Sequence, residues 1–178
     1  RNGTREFFTA NPGLIGPESF RLGLFPHLEN EISNEVAGLE GGSINETSAT
    51  VLTINRTENG FSIPYATVGN SAVYIYSQWS GEVRRVSPII EHAVGRTNIR
   101  ADYLDRTDLV GTIDAESGDI VILTTGLPAP ELIRDIVRKN YDEDPEVIAN
   151  SVVEKRRSKN EDGTAVVINL GVEEDSSD

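Results

Sequence analysis

The Asp and Glu carboxylates are the side chains of this sequence that are most able to form a chemical site. They are candidate ligands for a hard cation such as Mg²⁺ or Mn²⁺, which needs several Asp or Glu oxygens converging from loops at strand ends. The candidates are Asp102, Asp105, Asp108, Asp114, Asp119, Glu161 and Asp162. Scattered acids in an acidic chain are usually solvated surface residues. The order of the secondary-structure elements must therefore decide which of them can meet.

Other kinds of site find little support in the sequence. The chain has no Cys, which excludes thiol nucleophiles, disulfides and cysteine metal sites. It also lacks the Gly-X-Ser-X-Gly turn of serine hydrolases and a Gly-rich phosphate loop ending in Lys-Ser/Thr. His27 and His92 do not have metal-ligand spacing, so we expect an ordinary helix residue and an ordinary loop residue. The basic cluster at 155–157 is explained by a helix C-terminus, whose dipole it complements.

The charge of the chain bears on its partners. With 178 residues and a formal charge of −13, it is poorly suited to nucleic acid or anionic membranes and better suited to a basic protein partner. No apolar run is long enough to cross a bilayer. The sequence begins at Arg1 and contains no Met, so we expect a processed product or a fragment. We expect an intracellular location and leave a mitochondrial one open.

The hydrophobic periodicity predicts a single layered domain between two polar ends. Residues 1–16 are interpreted as a polar arm and residues 172–178 as an acidic, disordered tail. A helix is predicted over 17–38, because Phe20, Leu24 and Leu28 recur at helical spacing. Strands are predicted at 50–54, 63–68, 72–76, 82–86, 120–123 and 164–170, with a hairpin at Asn59-Gly60. Residues 87–117 are predicted to be irregular with short pieces of secondary structure, and helices are predicted at 130–139 and 145–157. This order predicts an α+β fold of antiparallel sheets covered by helices.

Two local features, a polar turn and a single tryptophan, are not explained by the predicted helices and strands. The strand at 120–123 ends in a polar turn, Thr124-Thr125-Gly126, where a buried strand would ordinarily stay apolar. The only tryptophan, Trp79, follows a predicted strand. We expect it to be partly buried at a sheet edge; if exposed, it would be a natural contact anchor.

Four short motifs, taken in order, resemble those of the metal-dependent protein phosphatases of type 2C, the PPM superfamily, including their bacterial sporulation and stress-response branch. They are residues 47–52 (TSATVL), 65–74 (YATVGNSAVY), 118–127 (GDIVILTTGL) and 161–167 (EDGTAVV). The resemblance covers roughly residues 17–171 and implies a type 2C fold, an antiparallel β-sandwich flanked by helices in α-β-β-α layers.

The resemblance also implies a metal site, from which this chain departs. The family uses two Mn or Mg ions, bridged by an Asp, to activate a water that attacks a phosphoserine or phosphothreonine. Thr125 stands where the family has a metal-binding Asp, and Asn70 replaces the Asp of the hairpin. The early Asp-Gly that carries the bridging ligand has no counterpart. Only Glu161, with Asp162 beside it, keeps a carboxylate at an aligned ligand position.

Three functional hypotheses follow from this comparison. The first is a catalytically inactive phosphatase-like domain, without a metal cofactor, that serves as a protein-binding or scaffold subunit of a larger assembly. The second is an active Mn- or Mg-dependent serine/threonine phosphatase whose N-terminal metal ligands are missing from this chain. The third treats the resemblance as accidental and the chain as a plain α+β interaction module.

Overall fold

The computed structural model describes residues 19–28, 30, 48–88, 109–159 and 163–171. The predicted N-terminal arm and acidic tail lie outside these ranges. The chain divides into two compact units, the first comprising Arg1–Thr53, Pro64–Asn70 and Ser87–Thr112, and the second Ile54–Ile63, Ser71–Val86 and Ile113–Asp178.

In the first unit, a helical segment packs on a pair of antiparallel strands. The segment, α1, contains the π-helical turn Phe20–Leu24 and continues as α-helix over 25–28. Strand β1 (Ala49–Leu52) pairs with the C-terminal part of strand β3 (Gly60–Val68). The core consists of Phe20, Phe25, Ala66, Val68 and Leu109. The predicted helical stripe is confirmed where the structure describes it, because Phe20 and Leu24 are fully buried.

Two further strands pair with β3. Strand β2 (Asn55–Thr57) forms the hairpin predicted at Asn59-Gly60, with Thr57 opposite Gly60. Strand β6 (Val110–Ala115) also pairs with β3, so the prediction of irregular structure over 87–117 is wrong at this point. Gly111 and Asp114 weaken the local strand signal of β6, and pairing with another strand outweighs that weak propensity.

The second unit contains a four-stranded antiparallel sheet covered on one face by two helices. Strands β4 (Ser71–Tyr76), β5 (Val83–Arg85), β7 (Ile120–Thr125) and β8 (Ala165–Asn169) lie in the order β5-β4-β7-β8. Helices α2 (Pro130–Lys139) and α3 (Pro145–Arg157) follow β7. Helices and sheet share a buried cluster that includes Tyr74, Ile120, Ile122, Ile133, Val137, Ile148 and Val152. Ile120 and Ile122 belong to it together because alternate residues of a strand share a face.

Both of these helices have the predicted boundaries, because local signals mark their ends. Each begins with a proline in its first turn, where the missing N–H costs no hydrogen bond. The side chain of Asp144 caps α3 by accepting a hydrogen bond from the backbone N–H of Glu146 at 2.9 Å. The fold is thus α+β, with antiparallel sheets and packed helices, as predicted.

Candidate functional site

The polar elbow at the end of β7 closes the junction between β7 and β8. Thr124 is buried, and its hydroxyl donates a hydrogen bond to the carbonyl of Gly126 at 3.1 Å. Thr125 is exposed and makes two contacts with Thr164. Its N–H donates to the carbonyl of Thr164 at 3.0 Å, and its Oγ1 accepts from the N–H of Thr164 at 2.9 Å. Both threonines therefore serve backbone groups that the end of the strand would otherwise leave unpaired.

A buried arginine lies against this elbow. Arg156, in the last turn of α3, is only 8% exposed, and its Nη1 donates a hydrogen bond to the carbonyl of Thr125. Gly126 and Gly163 leave room for the guanidinium, because a Cβ at either position would collide with it. Gly126 also has φ = +76°, which side chains rarely adopt. The elbow thus holds a fixed positive charge between two glycines.

This role of Arg156 differs from the one predicted for the basic cluster at 155–157. A complement to the helix dipole fits Lys155 and Arg157, since both are exposed. Arg156 instead follows Ile148 and Val152 at intervals of four residues, and both of these are buried in the core of the second unit. That spacing places it on the buried face of α3 and could have identified it.

Tyr74 holds the segment that follows the elbow. Its hydroxyl donates a buried hydrogen bond of 2.6 Å to the carbonyl of Pro128. Burial raises the pKa of the Tyr74 phenol above its ordinary value, while Arg85, a hydrogen bond with Thr124 and the charge of Arg156 oppose this rise. The phenol of Tyr74 and the guanidinium of Arg156 thus donate to backbone carbonyls on either side of Gly126.

Asn70, the other residue that the sequence resemblance places at a family Asp position, belongs to the first unit. It is exposed in the turn before β4, and its N–H donates to Ser48 Oγ at 2.8 Å. Gly69 lies in that turn with φ = +78°. A side chain there would be strained, and its Cβ would also lie only 2.7 Å from Ser48 Oγ. The structure therefore gives the backbone of Asn70 a role in the turn.

Asp119 serves the fold at the opposite end of β7. Its two carboxylate oxygens accept hydrogen bonds from the N–H groups of Gln78, at 2.9 Å, and Glu116, at 3.0 Å. With strand residues spaced by about 3.3 Å, it lies on the order of 20 Å from Thr125. Asp119 therefore cannot complete a metal site at the elbow.

The remaining candidates do not gather into a site within the described ranges. Asp114 is exposed on β6, and His27 is half-buried in α1. The predicted ligands Glu161 and Asp162 lie outside the described residues, as do Asp102, Asp105, Asp108 and His92. Among the residues that are described, no group of three or more His, Asp or Glu side chains is placed to hold a metal ion.

The residues described at the elbow do not fit a divalent cation. Thr125 offers a neutral hydroxyl in place of a carboxylate, and the oxygen of that hydroxyl already accepts a hydrogen bond from Thr164. The cation held beside it is the guanidinium of Arg156, which would repel a metal ion. The described residues of the elbow are therefore not a metal site.

Trp79 corrects another expectation, since it is 93% exposed rather than partly buried. It lies at the tip of the hairpin between β4 and β5. The neighbouring Gln78 is also exposed, and its side chain packs so closely on Gly118 that a Cβ there would collide with it.

In the described part of the chain, none of the helices is long and apolar enough to span a membrane.

No protein-family model matches the sequence, and no curated protein matches it either. Solved structures do match. The catalytic domain of the serine/threonine protein phosphatase PstP, in complex with 2 manganese ions, is 15% identical with a TM-score of 0.57, over 93% of this chain and 75% of that one. RsbX in complex with magnesium is 19% identical with a TM-score of 0.55, over 92% and 68%.

A third similar structure is PppA, a key regulatory component of the T6SS in Pseudomonas aeruginosa. It is 20% identical with a TM-score of 0.52, over 82% of this chain and 67% of that one. These identities are too low to transfer an activity, but the shared architecture agrees with the order of motifs in the sequence. The chain has the fold of the type 2C protein phosphatases, in a divergent form.

Proposed function

We propose that residues 17–171 form a type 2C phosphatase-like domain that does not hydrolyse phosphate esters and acts by binding protein. The observation that carries the proposal is the elbow at Thr125, where a neutral hydroxyl and the buried guanidinium of Arg156 occupy the surroundings of a family carboxylate.

Electrostatics support the absence of a metal at this end of β7. A divalent ion at this end of β7 would lie near the positively charged guanidinium of Arg156, and like charges repel. Type 2C chemistry overcomes the charge of its metals with several carboxylates, and Thr125 supplies none. The neutral Thr125 and the positively charged Arg156 therefore both disfavour a metal ion at this place.

A binding role is supported by the charge of the chain and by the kind of protein that shares its fold. A formal charge of −13 favours association with a basic surface. PppA is a key regulatory component of the T6SS, and the PstP and RsbX structures contain manganese and magnesium. The metal-containing relatives keep the alternative open, namely an active phosphatase whose further ligands lie elsewhere in a longer protein.

One pair of measurements on the full chain separates the two functions. We expect isothermal titration with MnCl₂ to show no site tighter than millimolar, and a phosphoserine peptide to release no phosphate in the presence of Mn. The PstP catalytic domain serves as the positive control in both assays. A micromolar two-metal site, together with turnover that is lost in Glu161→Ala and Asp162→Ala, would establish the active enzyme instead.

A further inference from the structure

The exposed Trp79 stands on a rigid turn. Gly81 N–H donates to the carbonyl of Ser77 at 2.8 Å, and Ser77 N–H donates to the carbonyl of Glu82 at 3.0 Å, which closes the hairpin. The N–H of Gln78 donates to the carboxylate of Asp119 at 2.9 Å, which ties the tip to the start of β7.

The second side of the same hairpin is held by α2. Arg138 donates to the carbonyl of Gly81 at 2.9 Å, and both Arg134 and Arg138 contact the carboxylate of Glu82 at 3.2 Å. Trp79 is thus exposed on a turn that hydrogen bonds and ion pairs hold in place. A ring presented on a fixed turn loses little conformational entropy when a partner covers it.

A groove of about 420 Å³ lies beside the ring. Asp114 and Glu116 are exposed along it, and Arg84 is its one basic lining residue among those described. The full lining is Ile75, Ser77, Trp79, Ser80, Glu82, Arg84, Asp114, Ala115, Glu116 and Asp119. A second, smaller groove on Gln78 and Ser117 shares Trp79, Glu116 and Asp119 with the first. The tryptophan therefore has acidic groups in both grooves that it lines.

We infer that Trp79 and this groove bind an arginine-bearing basic segment of a partner protein. A planar guanidinium can stack on an indole face while its N–H groups reach carboxylates, here those of Asp114 and Glu116. The inference deepens the proposed binding function and rests on it. A second copy of this chain is a poorer occupant, because each copy carries a formal charge of −13.

The test uses a capped peptide of alternating glycine and arginine, and the same peptide with citrulline, which keeps the shape but lacks the charge. Because Trp79 is the only tryptophan, its fluorescence reports binding directly. A dye-labelled copy of each peptide gives the affinity by anisotropy when the tryptophan is absent. We expect saturable binding of the arginine peptide and at least tenfold weaker binding of the citrulline peptide.

Three variants locate the binding. Trp79→Ala should weaken the arginine peptide at least tenfold without changing the melting temperature, because the side chain is 93% exposed. Asp114→Asn with Glu116→Gln should weaken it at least fivefold. The matched control, Asp142→Asn with Glu143→Gln, removes the same charge from exposed positions of the α2–α3 connection, outside both grooves, and should leave the affinity within twofold.

Several results would overturn the inference. They are unchanged binding in Trp79→Ala, equal binding of the citrulline peptide, or equal losses in the two charge variants. A dimer seen by sedimentation without peptide, and lost in Trp79→Ala, would assign the surface to a second copy. The phosphatase assay stays separate: turnover would refute the inactive domain, whereas absent binding without turnover would refute only this surface.

Discussion

Replacing Arg156 by glutamine tests whether the elbow is held by a protein cation. The variant shortens the buried side chain and removes the charge that donates to the carbonyl of Thr125. A hydrogen bond to a charged group contributes about 1.5 to 3 kcal/mol, and the packing lost between Gly126 and Gly163 adds to this. We expect a loss of about 3 kcal/mol in the free energy of unfolding.

That loss corresponds to a fall of about 6 to 12 °C in melting temperature, since 1 kcal/mol shifts a domain of this size by about 2 to 4 °C. Differential scanning calorimetry measures it directly. The matched control is Arg157→Gln, which removes the same charge from the same helical turn but from an exposed position. We expect the control to stay within about 0.5 kcal/mol of the parent.

Equal losses of stability in Arg156→Gln and Arg157→Gln would refute the reasoning. Both residues would then act only through their charge at the C-terminal end of the helix dipole. A second refuting result would be a rise in the melting temperature of the parent with MnCl₂. A ligand at about 100 times its Kd stabilises the folded state by about 2.7 kcal/mol, so a metal site would be plainly visible.

Three further predictions concern the same elbow. Gly126→Ala should destabilise by about 2 to 5 kcal/mol, from the strain of its positive φ and the collision with Arg156. Gly171→Ala has the same strain but, among the described residues, no atom within 4 Å of the added Cβ, so about 1 to 2 kcal/mol is expected; equal losses in denaturant titrations would disprove the collision. Thr125→Asp should gain no micromolar Mn affinity by isothermal titration, because the guanidinium remains beside it; a gained site would show that one carboxylate suffices. Tyr74→Phe should cost about 1 kcal/mol at neutral pH through the lost bond to the backbone. The raised pKa of Tyr74 stabilises the folded state below pH 10.0, the ordinary value, and this stability is lost as pH rises through the folded pKa. The variant should therefore lose less stability than the parent above pH 10, and parallel pH–stability curves would contradict this.

The agreement between sequence and structure is best where the signals are local. Helices α2 and α3 have their predicted boundaries because prolines start them and Asp144 caps the second. The hairpin at Asn59-Gly60 formed as expected for a turn that needs a permissive backbone. Strand β6 was missed because its alternation is weak around Gly111, and only its pairing with β3 makes it a strand.

In the candidate site, too, some features are set by the local sequence and others by tertiary packing. The identity of Thr125 is a property of the sequence alone. The resemblance to the type 2C family is likewise carried by the order of residues in the sequence. The exposure of Trp79 is decided by the tertiary structure, since the sequence predicts partial burial at a sheet edge.

The sequence by itself determined the helices and most of the strands, with β6 excepted, and also the absence of cysteine chemistry and the neutral residue at the elbow. Only the tertiary structure decided that Arg156 is buried there and that Trp79 faces solvent. The physical reason is that helix ends and strand alternation depend on near neighbours along the chain. Burial depends on atoms from distant residues, here the two glycines that make room for one guanidinium.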